Sequence, residues 1–336
     1  MFGKVVLVSS LLFSLAKSTG VTFKNVTFTG YSQSIEKCKT TILHSNSLVD
    51  FLPELAFDKV EFIDQDFTVL YKDSFTSLSD LGELVLENCR IHKIESYVLD
   101  SPYHSSGKDT KIKKISLKGN KIEEIYENVF TRPSFTKIDL SFNRITVIHE
   151  RAFDHLPYLE FIDLGHNNIG KWNTNWFRYT PSLRMVSMEN NSLEFLPDYA
   201  FKNIDGNGRF DKYITIVLNF NKIKTTGPKA FSGLGNMYDL LLDNNQLEKI
   251  DEDLLKDVDV LHLRLNNNNI RCLDGNLDKI FTAKVTYLDS NPFDCECLNR
   301  IRKWAQKNKR SVYWSCGSCI NNNTRNIFTI KNFQET

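Results

Sequence analysis

Phe135, Ile138, Leu140, Asn143 and Ile145 recur, place for place, as Leu159, Ile162, Leu164, Asn167 and Ile169. With the first residue as place 1, apolar side chains fall at places 1, 4, 6 and 11 and asparagine at place 9. Followed along the chain, place 9 is Gln65, Cys89, Asn120, Asn143, Asn167, Asn191, Asn221, Asn245, Asn268 and Asn291, at intervals of 23 or 24 residues apart from two of 30 and 31. The pattern runs on past place 11, as in Ile145, Ile148, Phe153 and Leu156, or Leu193, Leu196, Phe201 and Ile204. A fixed period of this length means one small unit stacked on copies of itself. It overrides the roughly two domains that 336 residues would otherwise suggest.

Places 4 and 6 point the same way along a short strand because side chains alternate. No unit can bury its apolar residues alone, so each uses its neighbours, and strands stack into a parallel sheet at about 4.8 Å spacing. Place 9 points inward where the strand turns away, and an amide there has both donors and acceptors for buried backbone groups. At the same place Cys89 reads as a buried reduced thiol. Places 2, 3, 5, 7 and 8 are left on the open face or its rim.

These repeats resemble the "typical" leucine-rich-repeat class of animal extracellular proteins, as in Toll-like receptor ectodomains, Slit-type guidance proteins and secreted insect immune proteins. The likeness spans roughly residues 57–320. It implies an α/β solenoid: a curved leucine-rich-repeat horseshoe with a parallel concave β-sheet and a disulfide-bonded C-terminal cap. It also implies a habit of binding, without naming a ligand. Extra residues at 101–110 and 205–211 precede strands and read as polar loops off the convex or side surface.

Four regions follow. Residues 1–20, with Lys4, an apolar run from Val5 to Ala16 and small residues at Ala16, Ser18 and Gly20, read as a secretory signal peptide. Residues 21–56 form an N-terminal capping region, with a strand expected over Val21 to Thr29, and an irregular first repeat. The repeats occupy 57–293. Residues 294–336 form a cysteine-containing cap and tail, in which Leu298, Ile301, Trp304 and Ala305 recur at helical spacing and Arg300, Arg302 and Lys303 face water. Cys295, Cys297, Cys316 and Cys319 allow three pairings. The family habit implies Cys295 with Cys316 and Cys297 with Cys319; a zinc site is the rival, which an oxidising destination disfavours. Cys38 and Cys272 are then left over, and Cys38 is expected to make a disulfide-linked dimer or partner adduct, unless it lies buried under the N-terminal strand. Asn25, Asn190 and Asn322 head glycosylation sequons.

A formal charge of +1 gives no net field for a polyanion, so a dedicated nucleic-acid binder is not expected. No segment after the leader is long and apolar enough to span a bilayer. Hydrolase, zinc-peptidase and phosphate-loop motifs are missing, and His149, His155 and His166 do not converge on the repeat template, so neither enzymatic activity nor a cofactor or metal is expected. The expectation is a secreted recognition protein that binds an extracellular protein or microbial ligand in innate immunity or cell-surface signalling; the alternative is a matrix or adhesion glycoprotein. The expected site is an apolar patch of Phe161, Met185, Val217 and Leu241, with Phe142 and Phe220 on its rim. Asp139, Asp163, Glu189 and Asp243 border it, and Lys113, Lys114, Lys118 and Lys137 lie on its N-terminal side.

Overall fold

The computed structural model describes residues 21–32, 37–48, 57–75, 81–99, 112–130, 134–204 and 213–314. The leader, both insertion loops, Asn322, Cys316 and Cys319 lie outside them. The chain divides into two compact units, Met1–Leu159 and Glu160–Thr336.

In the first unit a hairpin opens the solenoid. Strand β1 (Phe23–Tyr31) pairs antiparallel with β2 (Cys38–Ser45) on one side and with β3 (Lys59–Ile63) on the other. The expected capping strand is thus present, two residues further on than its expected bounds and with a partner strand the repeat pattern does not announce. Val26 and Phe28 turn inward by alternation, and the left-handed backbone at Asn25 shifts the phase so that Phe23 is inward as well; Phe23 and Phe28 meet Phe62, and the Phe23 and Phe75 ring centroids are 5.4 Å apart. These rings cover the apolar cross-section of the first repeat. Gly30 lets β1 pass over Phe57, where a Cβ would lie 2.6 Å from the ring. Strands β4 (Glu83–Glu87), β5 (Lys114–Ser116) and β6 (Lys137–Asp139) then follow β3 in parallel, one per repeat.

The second unit continues the rule of one strand per repeat. Strands β7 (Phe161–Asp163), β8 (Met185–Ser187), β9 (Ile214–Val217), β10 (Asn236–Leu241), β11 (Asp259–Arg264) and β12 (Val285–Tyr287) pair in parallel in chain order. Place 4 (Ile162, Val186, Ile216, Leu240, Leu263) and place 6 (Leu164, Met188, Leu218, Leu242, Leu265) are buried throughout. Each such side chain removed from water contributes about 1.5–3 kcal/mol. One irregularity follows the second insertion: a register shift between Ile214 and Thr215 turns Ile214 inward and leaves Tyr213, nominally place 1, exposed.

The asparagine ladder works as its chemistry requires. Asn221 accepts through Oδ1 from the Leu193 N–H at 3.0 Å and donates through Nδ2 to the Met188 and Leu218 carbonyls at 2.8 and 3.1 Å. Asn191, Asn245 and Asn268 repeat this arrangement, each toward its own preceding coil. Each amide therefore ties place 6 of its own coil to places 6 and 11 of the preceding one. Cys89 keeps half of the pattern: its thiol donates to the Phe62 and Glu87 carbonyls, and burial pushes its pKa up to about 12. Place 8 carries a positive φ in every repeat, from Asp64 to Ser290, and Gly119 adopts it at +73°. Gly, Asn and Asp suit that conformation; Phe142 and Phe220 adopt it against their steric preference.

At the C-terminal end the short helix α1 (Leu277–Ile280) precedes α2 (Cys295–Asn308), which buries Cys297, Leu298, Ile301 and Ala305. Two expectations need correction here. Cys297 is bonded to Cys272, with a Cα separation of 5.5 Å, and not to Cys319, so Cys272 is not left over. The reason is that Cys297 sits on the buried face of α2, and that face lies against the coil that leaves Asn268. Cys295 is also disulfide-bonded, to a partner outside the described residues. Trp304 is half-exposed, stacking on Phe281 at 5.1 Å and donating to Asp278 at 3.0 Å, while Arg300 turns back to donate to the Leu273 carbonyl. Beyond Lys309, whose left-handed backbone ends the helix, β13 (Ser311–Tyr313) adds a further parallel strand beside β12.

Candidate protein-binding face

Places 3, 5 and 7 project to the side opposite the core and build the open face of the second unit, whereas place 1, apart from Tyr213, is buried with places 4 and 6. Phe161 and Met185 occupy place 3 of paired strands and are direct neighbours; Phe161 is 40% exposed. Leu241, at place 5 of β10, is half-buried. Val217 corrects the expected patch: it is only 8% exposed. Its short branched side chain lies flush with the sheet between Ser187 and Leu241, its register partners on β8 and β10. Phe220 stands on the rim at 50% exposure.

The bordering carboxylates serve the turns as well as the surface. Asp163 accepts from the Gly165 N–H at 2.8 Å, and Glu189 accepts from Asn219 Nδ2 at 3.1 Å. Asp243 is buried, accepts from Asn244 Nδ2 at 2.7 Å, and has its pKa raised by that burial. Asp139 and Phe142 belong to the first unit, where Asp139 accepts from the Ser141 N–H and hydroxyl and Lys118 lies 5.1 Å from the Phe142 ring centroid. Lys113, Lys114, Lys118 and Lys137 are exposed there, Lys114 beside Lys137 across the β5–β6 pair.

At the C-terminal part of the face the repeat pattern gives Asp239, His262, Arg264 and Tyr287 but misses Tyr313, which follows the last repeat. Tyr313 on β13 stacks on Tyr287 at 5.4 Å, and Arg264 lies 5.0 Å above the other ring of that pair. His262 pairs with Asp239 at 3.0 Å, and its ring meets Tyr238 edge-on at 5.4 Å. The alternation of Ser311, Val312 and Tyr313 was the available signal for the extra strand.

Elsewhere, His149 bonds Glu124 at 2.7 Å and His166 bonds Asn190 at 2.8 Å. Among the described residues no three His, Cys, Asp or Glu side chains are grouped to hold a metal ion. Cys38 is a free, half-exposed thiol on β2, not one buried under β1. Asn25 and Asn190 are exposed with left-handed backbone.

A leucine-rich-repeat family model matches residues 110–169 and 133–193, on the same places that form strands β5 to β8. The chain carries leucine-rich repeats over that stretch. It is similar to Tsukushi of Gallus gallus, 29% identical over 46% of this chain and 41% of that one, so it spans less than half the length of that relative. Among solved structures it resembles Toll in the Drosophila Toll–Spatzle complex, with a TM-score of 0.61 and 18% identity over 73% of this chain and 32% of that chain. It also resembles the protein of a TLR13–ssRNA13 complex, with a TM-score of 0.58 and 22% identity over 70% of this chain and 34% of that chain. The fold and the extracellular leucine-rich-repeat likeness are thereby shown. No helix among the described residues is long and apolar enough to cross a membrane.

Proposed function

We propose that this is a secreted, non-enzymatic recognition protein that binds a protein ligand through the open sheet face of its second unit, in innate immunity or cell-surface signalling. The observation that carries the reading is the exposed Phe161 beside Met185, with Leu241 two strands beyond Met185, on a face whose core contacts are already made by places 4 and 6. Exposed apolar side chains adjoining charged and aromatic ones on a rigid sheet are the composition of a protein-binding surface. Toll, a structural neighbour, is bound to Spatzle, a support for a protein ligand by analogy. The other neighbour is complexed with RNA, but the balanced net charge of this chain favours a protein. A glycan at Asn190 would stand on the rim beside His166 and could cover part of this patch.

The test is capture of partners by the tagged, secreted protein, followed by titration of the purified partner. Phe161→Ala with Leu241→Ala should weaken binding at least about tenfold with secretion intact. Full affinity in that variant would place the site elsewhere. The second reading, a matrix or adhesion component acting by lateral contacts, would instead show as self-assembly that the double variant does not alter.

A further inference from the structure

The two open faces differ in charge in a way the balanced chain conceals. On the first unit, places 3, 5 and 7 carry Lys59, Lys114, Lys118 and Lys137 against Glu61, Glu83, Glu87 and Asp139, with Lys59 bridging Glu61 at 2.7 Å and Glu83 at 3.2 Å. On the second unit the same places carry Asp163, Glu189, Asp239 and Asp289 on the surface, with Asp243 buried among them, and the one permanent cation is Arg264. That arginine is committed to the face of Tyr287. The acidic excess is therefore a property of this face and not of the repeat, which would have imposed it on both units.

A second feature points to the same ligand chemistry. Tyr313 is 53% exposed at the end of the Arg264–Tyr287–Tyr313 stack, and Tyr238 is exposed beside Asp239. Aromatic faces attract ammonium and guanidinium groups through their quadrupole, and carboxylates attract them directly. The stack already holds one guanidinium, from Arg264, in that geometry. Apolar contact is offered at the other end by Phe161 and Met185.

We infer that the partner presents a cationic and apolar segment to the second unit, with its lysine or arginine side chains over the carboxylates and tyrosines and its apolar residues at Phe161 and Met185. This rests on the reading that this face binds a protein.

The experiment selects a random-peptide display library on the full-length protein. The enriched peptides should carry Lys or Arg next to apolar residues, and their affinity should fall steeply with added salt. Asp163→Asn, Glu189→Gln and Asp239→Asn together keep every acceptor oxygen used by the turns, and should weaken these peptides about tenfold. An enriched pool that is neutral or acidic, the failure of any pool to enrich, or basic peptides that hold the triple variant equally well would overturn the inference. The salt titration of the unaltered protein decides the matter should the triple variant fail to fold, and salt-insensitive binding there overturns it. Neutral apolar peptides that depend on Phe161 and Leu241 would sink the cationic ligand and leave the binding face standing. Peptides indifferent to both sets of substitutions would remove both.

Discussion

Removing one rung of the asparagine ladder should cost far more than its size suggests. Asn221→Ala leaves the buried Leu193 N–H without a partner and takes one of two amide donors from each of the Met188 and Leu218 carbonyls, which keep Asn191 and Asn245 respectively. An orphaned buried donor costs about 1–3 kcal/mol, and a carbonyl with a second lone pair somewhat less. With one donor orphaned and two carbonyls weakened, the total is about 2 kcal/mol, set against a domain stability of about 5–15 kcal/mol. The bonds span two coils, so the loss should loosen the junction between them and not just one turn. Guanidinium unfolding followed by the fluorescence of Trp172 and Trp176, both buried in the second unit, reads it directly. Glu248→Ala, an exposed change in a neighbouring coil, serves as the reference and should stay within about 0.5 kcal/mol. If Asn221→Ala is as mild as that reference, the ladder is not a structural tie and the account of place 9 is wrong.

Cys272→Ser with Cys297→Ser opens a loop of 25 residues and should cost about 3.5 kcal/mol, with lower secreted yield; a non-reduced peptide map lacking the Cys272–Cys297 link would refute the assignment. Alkylation of the native protein near neutral pH should label Cys38 and spare Cys89, whose thiol is held protonated by burial, until denaturant is added; labelling of both at equal rates would contradict the buried assignment. Cys38 should also yield a reducible dimer or adduct on gels, and a monomer unchanged by Cys38→Ser would dispose of that expectation. The folded state raises the pKa of Asp243, so its contribution is fully present below the ordinary value of 3.8 and is lost as pH rises through the folded value. Asp243→Asn should accordingly raise the melting temperature at neutral pH, with the gain shrinking on acidification; a loss at neutral pH would mean that the charged form is the stabilised one.

Periodicity made legible those features that every repeat must share. The burial of Ile216, Leu240 and Leu263, the inward amides and the parallel register follow from a period that leaves each coil dependent on the next. What escaped were single events. The β1–β2 hairpin answers to the need to cover one open end, and many chain segments could meet that need. Cys297 pairs with Cys272 because of how α2 lies on the last coil, which is a packing fact invisible to cysteine spacing. Val217 alternates outward as expected, yet a short β-branched side chain between close strands does not reach solvent as Phe161 does. Tyr313 was hidden because β13 comes after a helix, outside the repeat count.

Hydroxyl-radical footprinting of the protein with and without its purified partner tests the central claim most directly, since it reads side chains and not backbone amides already held in the sheet. Phe161, Met185, Tyr238 and Tyr313 should be protected on binding. Phe195 and Tyr199, exposed but off the main sheet, should be oxidised as before. Protection of Phe195 and Tyr199 with Phe161 and Met185 unchanged would contradict the account and assign recognition to another surface.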